Sequence, residues 1–359
     1  MRIALLLIGF GHVGRRFVQL LDEQRAYLDS AGVTPVVVGI TTGRHGSVFD
    51  GVGLDASRLA RQVAGGDAVG PASSRTASQL IAQLVAQSAE AHVLIETTPL
   101  DIGFGEPAIS HIREALRAGA HVISANKGPV AHAYADLAAE ARTAGREFFF
   151  EGAVMDGIPI FSLVRETMPG VTIEGFRGVV NSTTNHILTA LERGEDFDEA
   201  LARMQADGIA EADPSLDVDG WDAAAKVAAM ANVWMDARIR PQDVERSGIG
   251  RADAVRARQA AAAGRRLKLV ASGKRRRVSF STKKTPDVFF RVGLEELPAD
   301  DPLGSLDGQA NALELDTDWL GRVVITQRDG GLDKTAYALF GDLMRIVENS
   351  QKPSGGFFA

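Results

Sequence analysis

The chain has no cysteine. Disulfides, thiolate metal sites and cysteine nucleophiles are therefore excluded, and a reducing, cytoplasmic setting fits. Long apolar runs are also missing. The N-terminal run Ile3–Ile8 is far short of the roughly 20 residues that span a bilayer. A glycine turn follows it where a signal peptide would carry a small-residue cleavage pattern, so it reads as a buried strand and no membrane association is expected. Positive charge is in deficit: 39 Lys and Arg against 46 Asp and Glu leave −7, which disfavours nucleic acid as a partner. The local exception is Lys274-Arg275-Arg276-Arg277 with Lys283-Lys284. It reads as a solvated loop or strand edge, with a polyanion site as the alternative. None of the seven histidines pairs with another at ligand spacing, and no Gly-x-Ser-x-Gly elbow is present.

What is present is alternation. At roughly 100–200 residues per domain, 359 residues make two domains, large enough for full cores. Ile3–Ile8, Val36–Thr41, His92–Glu96 and His121–Ser124 read as strands. Helical spacing through Val13, Phe17, Leu20 and Leu21, and over Gln79–Ala89, Ala108–Ala118 and Val130–Ala144, separates them. Gly119 and Gly145 stand where C-caps are needed. Strands alternating with helices predict an α/β fold with a doubly wound parallel sheet. After Phe148–Phe150 the character changes to α+β. Helices are expected over Asn185–Arg193, Phe197–Asp207 and Asp222–Trp234, and strands over Val171–Val180, Leu267–Ala271, Val278–Ser281, Phe289–Leu294, Asn311–Leu315 and Arg322–Thr326. Ala336–Ile346 closes the chain as a helix.

Gly9-x-Gly11-x-x-Gly14 lies between the first strand and the first helix, the context of a Rossmann dinucleotide site. Gly9 would make the tight turn, Gly11 would admit the pyrophosphate, and Gly14 would allow close packing. Phe10, His12 and Val13 complete the turn. The end of the second strand, Ile40-Thr41-Thr42-Gly43-Arg44-His45, has no acid for ribose hydroxyls. Arg44, beside Thr42, suits a 2′-phosphate, which favours NADP over NAD. The alternative is a solvated loop arginine.

At this point the chain resembles the homoserine dehydrogenase family over nearly its whole length. The resemblance is carried by Glu96-Thr97-Thr98-Pro99, Gly105-Glu106-Pro107-Ala108 and Val122 to Ala131 with Asn126-Lys127, and by Asn181-Ser182-Thr183-Thr184-Asn185-His186. The most specific stretch is Gly208 to Lys226, with Glu211, Asp213-Pro214, Asp217, Asp219-Gly220-Trp221-Asp222 and Lys226. It implies reduction of L-aspartate 4-semialdehyde to L-homoserine with NAD(P)H, in aspartate-family biosynthesis leading to threonine and methionine. It also implies domains at 1–147 and 148–332, with the helix in 333–359 packing back on the first. The second domain would bind substrate and form a homodimer. No regulatory module is expected after Asp342-Leu343.

By the same resemblance, Thr97, Thr98, Asn126 and Lys127 meet the cofactor, and Glu211, Asp217, Asp222, Asn181, Ser182 and Thr183 meet the substrate. Hydride transfer to an aldehyde needs a cation or acid beside the developing alkoxide. Lys226 is placed to supply it, with Lys127 and Asp222. Asp222 and Lys226 share a helix face at i,i+4, a spacing that an ordinary surface ion pair also produces. The acidic cluster, with Asp219 read as a helix cap, suits an ammonium group better than a metal, since it lacks EF-hand spacing. Glu151, Val154, Asp156 and Ile158 match a segment that binds a monovalent cation, Na+ or K+, mostly through backbone carbonyls. Here Met155-Asp156-Gly157 replaces a glycine run and Ser182 replaces a glycine. These departures put the ion site in question and leave open a relative acting on another amino- or oxo-acid, or a catalytically silent cofactor binder. His186 reads as a packed or capping residue.

Overall fold

A computed structural model describes residues 1–70, 75–206, 213–276 and 287–351. The chain divides into two compact units. One comprises Met1–Pro129, Ala135–Pro159 and the segment from Leu332; the other comprises Val130–Tyr134 and Ile160–Gly331.

The first unit runs β1 (Arg2–Ile8), α1 (His12–Glu23), α2 (Arg25–Ser30), β2 (Thr34–Thr41), β3 (Ser47–Phe49), α3 (Ala56–Ala64), α4 (Ala77–Val85), β4 (Ala91–Glu96), α5 (Ala108–Ala118), β5 (His121–Ser124), α6 (Lys127–Ala144) and β6 (Phe148–Phe149). The strands lie in the order β3-β2-β1-β4-β5-β6. All pairs are parallel except β2 with the short β3. This is the Rossmann order, which reverses direction between β1 and β4. Ile3 to Leu7 are all fully buried, as a parallel strand with both faces covered requires. Gly119 and Gly145 end α5 and α6 in left-handed geometry, the conformation glycine adopts without steric cost. Two 3-10 turns follow β6, at Glu151–Ala153 and Met155–Gly157.

The second unit runs α7 (Ile160–Thr167), β7 (Ile173–Val179), α8 (Ser182–Glu192), α9 (Phe197–Ala206), α10 (Ser215–Val218), α11 (Trp221–Met235), β8 (Glu245–Arg246), α12 (Asp253–Ala262), β9 (Arg265–Arg276), β10 (Asp287–Pro298), β11 (Asn311–Thr317) and β12 (Gly321–Gln327). Its sheet has the order β12-β11-β7-β9-β10-β8, antiparallel apart from β10 with β8. The Trp234 ring of α11 meets Phe161 of α7 at 5.3 Å and Phe176 of β7 at 6.1 Å between centroids. The closing helix α13 (Leu332–Gln351) then returns to the first unit, where Leu339, Leu343 and Ile346 share a core with Leu5, Leu7 and Phe17.

Two expectations need correction. Residues 148–159 pack with the first unit and Val130–Tyr134 with the second, so the division does not fall at 147/148. α6 is irregular at Ala133 (φ −143°), inside that exchanged stretch. Lys274-Arg275-Arg276 is not a loop but the end of β9: Lys274 pairs with both β7 and β10, while Arg275 and Arg276 pair with β10 alone. Arg275 fits there because its guanidinium caps the carbonyls of Ile173 and Met235 while its stem lies along the sheet. Arg277, Lys283-Lys284 and Val278–Ser281 lie outside the described residues.

His121, at the start of β5, accepts a hydrogen bond on Nδ1 from the Glu147 amide at 3.1 Å, so its ring is neutral. Burial first, then the Arg146 charge, lower its pKa to about 4. Between the ordinary value near 6.5 and about 4, the unfolded chain binds a proton that the folded chain refuses. Stability is therefore full above that window and is lost as pH falls through it, by up to about 3 kcal/mol. Urea unfolding at pH 7 and pH 4.5 should show this loss, and His121→Gln should remove most of its steepness.

Candidate active site

The first unit builds a dinucleotide cradle. Gly9 has φ +91°, donates to the Thr41 carbonyl of β2 at 2.9 Å, and accepts from the Thr97 hydroxyl beyond β4 at 3.0 Å. A Cβ there would stand 2.5 Å from the Thr97 carbonyl carbon and oxygen. One on Gly14 would press the Thr97 hydroxyl at 3.1 Å and the Gly9 oxygen at 3.2 Å. Gly14 thus keeps the helix close to the turn and the β4 loop. Gly11 differs, because a Cβ there would meet nothing within 4 Å. It is the N-cap of α1, no side chain caps that end, and its first turn carries no carboxylate. His12 and Val13 open the helix and Phe10 is buried. The free N–H groups of such an end favour a phosphate, so the residues present fit a dinucleotide.

Around this cradle, Thr42 turns the chain from β2 to β3 by accepting from the His45 amide at 2.6 Å, and Arg44 at the tip is exposed. Thr98 and Asn126 follow β4 and β5. Asn126 caps α6 by accepting from the Gly128 amide at 2.9 Å. Lys127 is the first residue of that helix.

The second unit gathers the acidic half. Asn181 is the N-cap of α8; its oxygen accepts from the Thr184 amide at 2.9 Å and hydroxyl at 3.0 Å. That fixes the amide orientation. Its nitrogen donates to Asp217 of α10 at 2.7 Å and to Asp222 of α11 at 2.9 Å. Lys226 pairs with Asp222 at 3.0 Å and donates to the Val180 carbonyl at 2.5 Å. With side chains only 13% and 12% exposed, this i,i+4 pair is no surface bridge. Burial, and then the charge of Asp222, push the Asp217 carboxyl upward, while Asn181, Thr183 and Lys226 oppose the shift. Two buried carboxylates sharing one amide and one ammonium favour a further cation. Ser182 and the buried Thr183 open α8 beside them. Glu211 lies outside the described residues.

Glu151 is buried and donates its amide to Asp342 at 3.0 Å, while Arg345 lies 3.4 Å from both carboxylates. Val154 is extended, Met155 and Asp156 have φ of 53° and 45°, Gly157 has 91°, and Ile158 is extended again. The turn therefore takes a left-handed course without a glycine run, at a cost of roughly 1 kcal/mol for each of the two side chains.

Comparison with known proteins places both parts of the chain in one family. Residues 9–151 match the family model described as "Homoserine dehydrogenase, NAD binding domain", and 159–344 match "Homoserine dehydrogenase". An NAD(+)-dependent homoserine dehydrogenase of Pseudomonas canavaninivorans is 36% identical over 97% of each chain. A homoserine dehydrogenase of Methanocaldococcus jannaschii is 33% identical over 97% of this chain and 99% of that one. The chain belongs to the homoserine dehydrogenase family. It is an NAD(P)-dependent oxidoreductase. A solved hyperthermophilic archaeal homoserine dehydrogenase in complex with NADPH is 27% identical with a TM-score of 0.78, covering 97% of this chain and 98% of that one.

Within this homoserine dehydrogenase, Asn181, Asp217, Asp222 and Lys226 come together from three helices. Asp219 caps no helix N-terminus: it is the C-cap of α10, and left-handed Gly220 precedes α11. The Asp219 carbonyl is held by Arg246, whose guanidinium stacks on Trp221 at 3.7 Å. No local pattern signals that brace, since 27 residues separate its partners. Among the described residues no group of three or more His, Asp or Glu is arranged to hold a metal, and no helix is long and apolar enough to cross a membrane.

Asn181→Ser should keep a helix cap yet lose the bridge between Asp217 and Asp222. A drop in kcat/KM for homoserine of about tenfold or more is expected from two charge-assisted bonds, and Tm should fall as well, because two buried carboxylates lose their shared donor. Steady-state kinetics and thermal unfolding on the same preparation check both.

Proposed function

We propose that this homoserine dehydrogenase reduces L-aspartate 4-semialdehyde reversibly to L-homoserine, with the substrate ammonium at Asp217 and Asp222 and the reacting oxygen served by Lys226. The observation that carries this is the Asn181-bridged carboxylate pair ending in a buried lysine. Glu211, Ser182 and Thr183 are assigned to the same substrate. A bound nicotinamide would supply the hydride to the aldehyde carbon. The protein's task is to hold a proton donor at the oxygen as negative charge grows there. Lys226, fixed by Asp222 and the Val180 carbonyl, is oriented for that, and Lys127 is assigned to the substrate or reacting oxygen from the cofactor side.

We assign NADP as the preferred cofactor and NAD as the second. Relatives of both kinds exist, by name or by bound NADPH. The preference rests on exposed Arg44 at the end of β2 and on the lack of an acid there. Glu151, Val154, Asp156 and Ile158 are assigned to a monovalent cation, supported by the left-handed turn over Met155 to Gly157. A homodimer in the cytoplasm of a cell making threonine and methionine is the setting we assign.

The test is homoserine-dependent reduction of NADP and of NAD at alkaline pH, followed by nicotinamide absorbance. Turnover with homoserine is expected, faster with NADP. Arg44→Ala should weaken NADPH about tenfold and NADH by less than twofold, the loss of one charge-assisted phosphate contact. Equal effects would remove the cofactor assignment. A folded enzyme that binds NADPH but ignores homoserine would remove the substrate.

A further inference from the structure

Glu96 ends β4 with its side chain fully buried. A carboxyl at such a place needs a reason, since burial pushes it up to about 7. Its Oε1 accepts from the Thr98 amide at 3.0 Å and, at short range, from the Thr98 hydroxyl. Its Oε2 faces the Ser124 hydroxyl at 3.5 Å. The Thr98 hydroxyl in turn accepts from the Asn126 side-chain nitrogen at 3.3 Å. The polarity of this chain is fixed from the far end. The Asn126 oxygen accepts from the Gly128 amide, so its nitrogen donates to Thr98 and to the Pro99 carbonyl, which leaves the Thr98 hydroxyl hydrogen for Glu96.

We propose that Glu96 is a positioning residue for the nicotinamide end of the cofactor: it orients Thr98 and, through Thr98, the Asn126 cap that precedes Lys127. The direction follows from the topology. The sheet order reverses between β1 and β4, and the dinucleotide lies across such a switch point. β1, α1 and β2 supply the glycine turn and Arg44, which serve the pyrophosphate and the adenosine ribose. The ends of β4 and β5 are left for the nicotinamide, and Glu96 joins those two ends. This rests on the cofactor reading, but not on the identity of the substrate.

Three variants test the role: Glu96→Leu removes the acceptor, Glu96→Gln keeps one, and Thr98→Val cuts the chain at its middle. The readouts are NADPH affinity, the fluorescence of bound NADPH, which reports the nicotinamide surroundings, and kcat with homoserine. Glu96→Leu and Thr98→Val should each lower kcat about tenfold and lose the emission enhancement of bound NADPH, with Kd and homoserine KM within about threefold of the parent. Glu96→Gln should restore both signals to within about threefold of the parent. Should Glu96→Leu not fold, Thr98→Val, at a partly exposed position, decides the matter. Parental emission and kcat in Glu96→Leu or Thr98→Val would overturn the proposal, as would a Gln variant as impaired as the Leu variant. If the parent enzyme leaves homoserine untouched, the substrate reading fails alone, and NADPH emission still judges Glu96.

Discussion

Lys226→Ala should lower kcat for homoserine oxidation by about 10²–10⁴-fold, the range for a positioned acid or base, while NADPH affinity stays within about twofold. The asymmetry follows from where the ammonium sits. It is held by Asp222 at 3.0 Å and the Val180 carbonyl at 2.5 Å, all within the second unit, whereas the phosphate cradle is built by α1 and β1 of the first. An interaction made only as charge develops on the oxygen shows in kcat and not in ground-state affinity. Removing the lysine also leaves Asp217 and Asp222 as buried neighbours with one compensating charge fewer, so the thermal midpoint should fall too. Single-turnover hydride transfer, compared with NADPH titration, separates the effects. Near-parental kcat would take Lys226 out of the chemistry.

Gly9→Ala should weaken NADPH by about two orders of magnitude, since strain of about 3 kcal/mol at a residue with φ +91° must be absorbed by moving the turn. The added carbon would lie 2.5 Å from the Thr97 backbone, and backbone is what a turn cannot displace cheaply. Thermal stability should drop as well. Gly11→Ala is the informative partner. Its added carbon meets nothing in the protein, so folding should be untouched and affinity lost only where the pyrophosphate comes close. Titration and unfolding of the two variants side by side tell a turn-forming glycine from a ligand-facing one. Parental affinity in Gly11→Ala would mean that the phosphates lie elsewhere.

Much of the first unit was legible because its signals are local. The glycine turn, the fully apolar β1 and the left-handed glycines after α5 and α6 each lie within a few residues of what they determine. The segment between β2 and α4 was less legible. α3 is short and was not read, although Ala56, Leu59, Ala60 and Val63 recur at helical spacing behind the Asp55 cap; α4 was read from Gln79, whereas the Thr76–Gln79 capping box starts it at Ala77. In the second unit the resemblance named Asn181, but not that its amide bridges carboxylates 36 and 41 residues onward. Such a bridge has no sequence period. Asp219 was misread because an acid before an apolar helix resembles an N-cap, while a short preceding helix, α10, claims it as its own end. Arg275 was misread because charge predicts solvent, and the carbonyls it caps come from β7 and the end of α11.

The first unit is interrupted: its chain leaves at Pro159 and returns at Leu332, and its core is closed by Leu339, Leu343 and Ile346. During synthesis, every residue of the second unit emerges before that closing helix does. The second unit is therefore complete while part of the first unit's apolar core is still uncovered. The nascent chain completes the unit that carries Asn181, Asp217, Asp222 and Lys226 before it closes the core beneath the glycine turn.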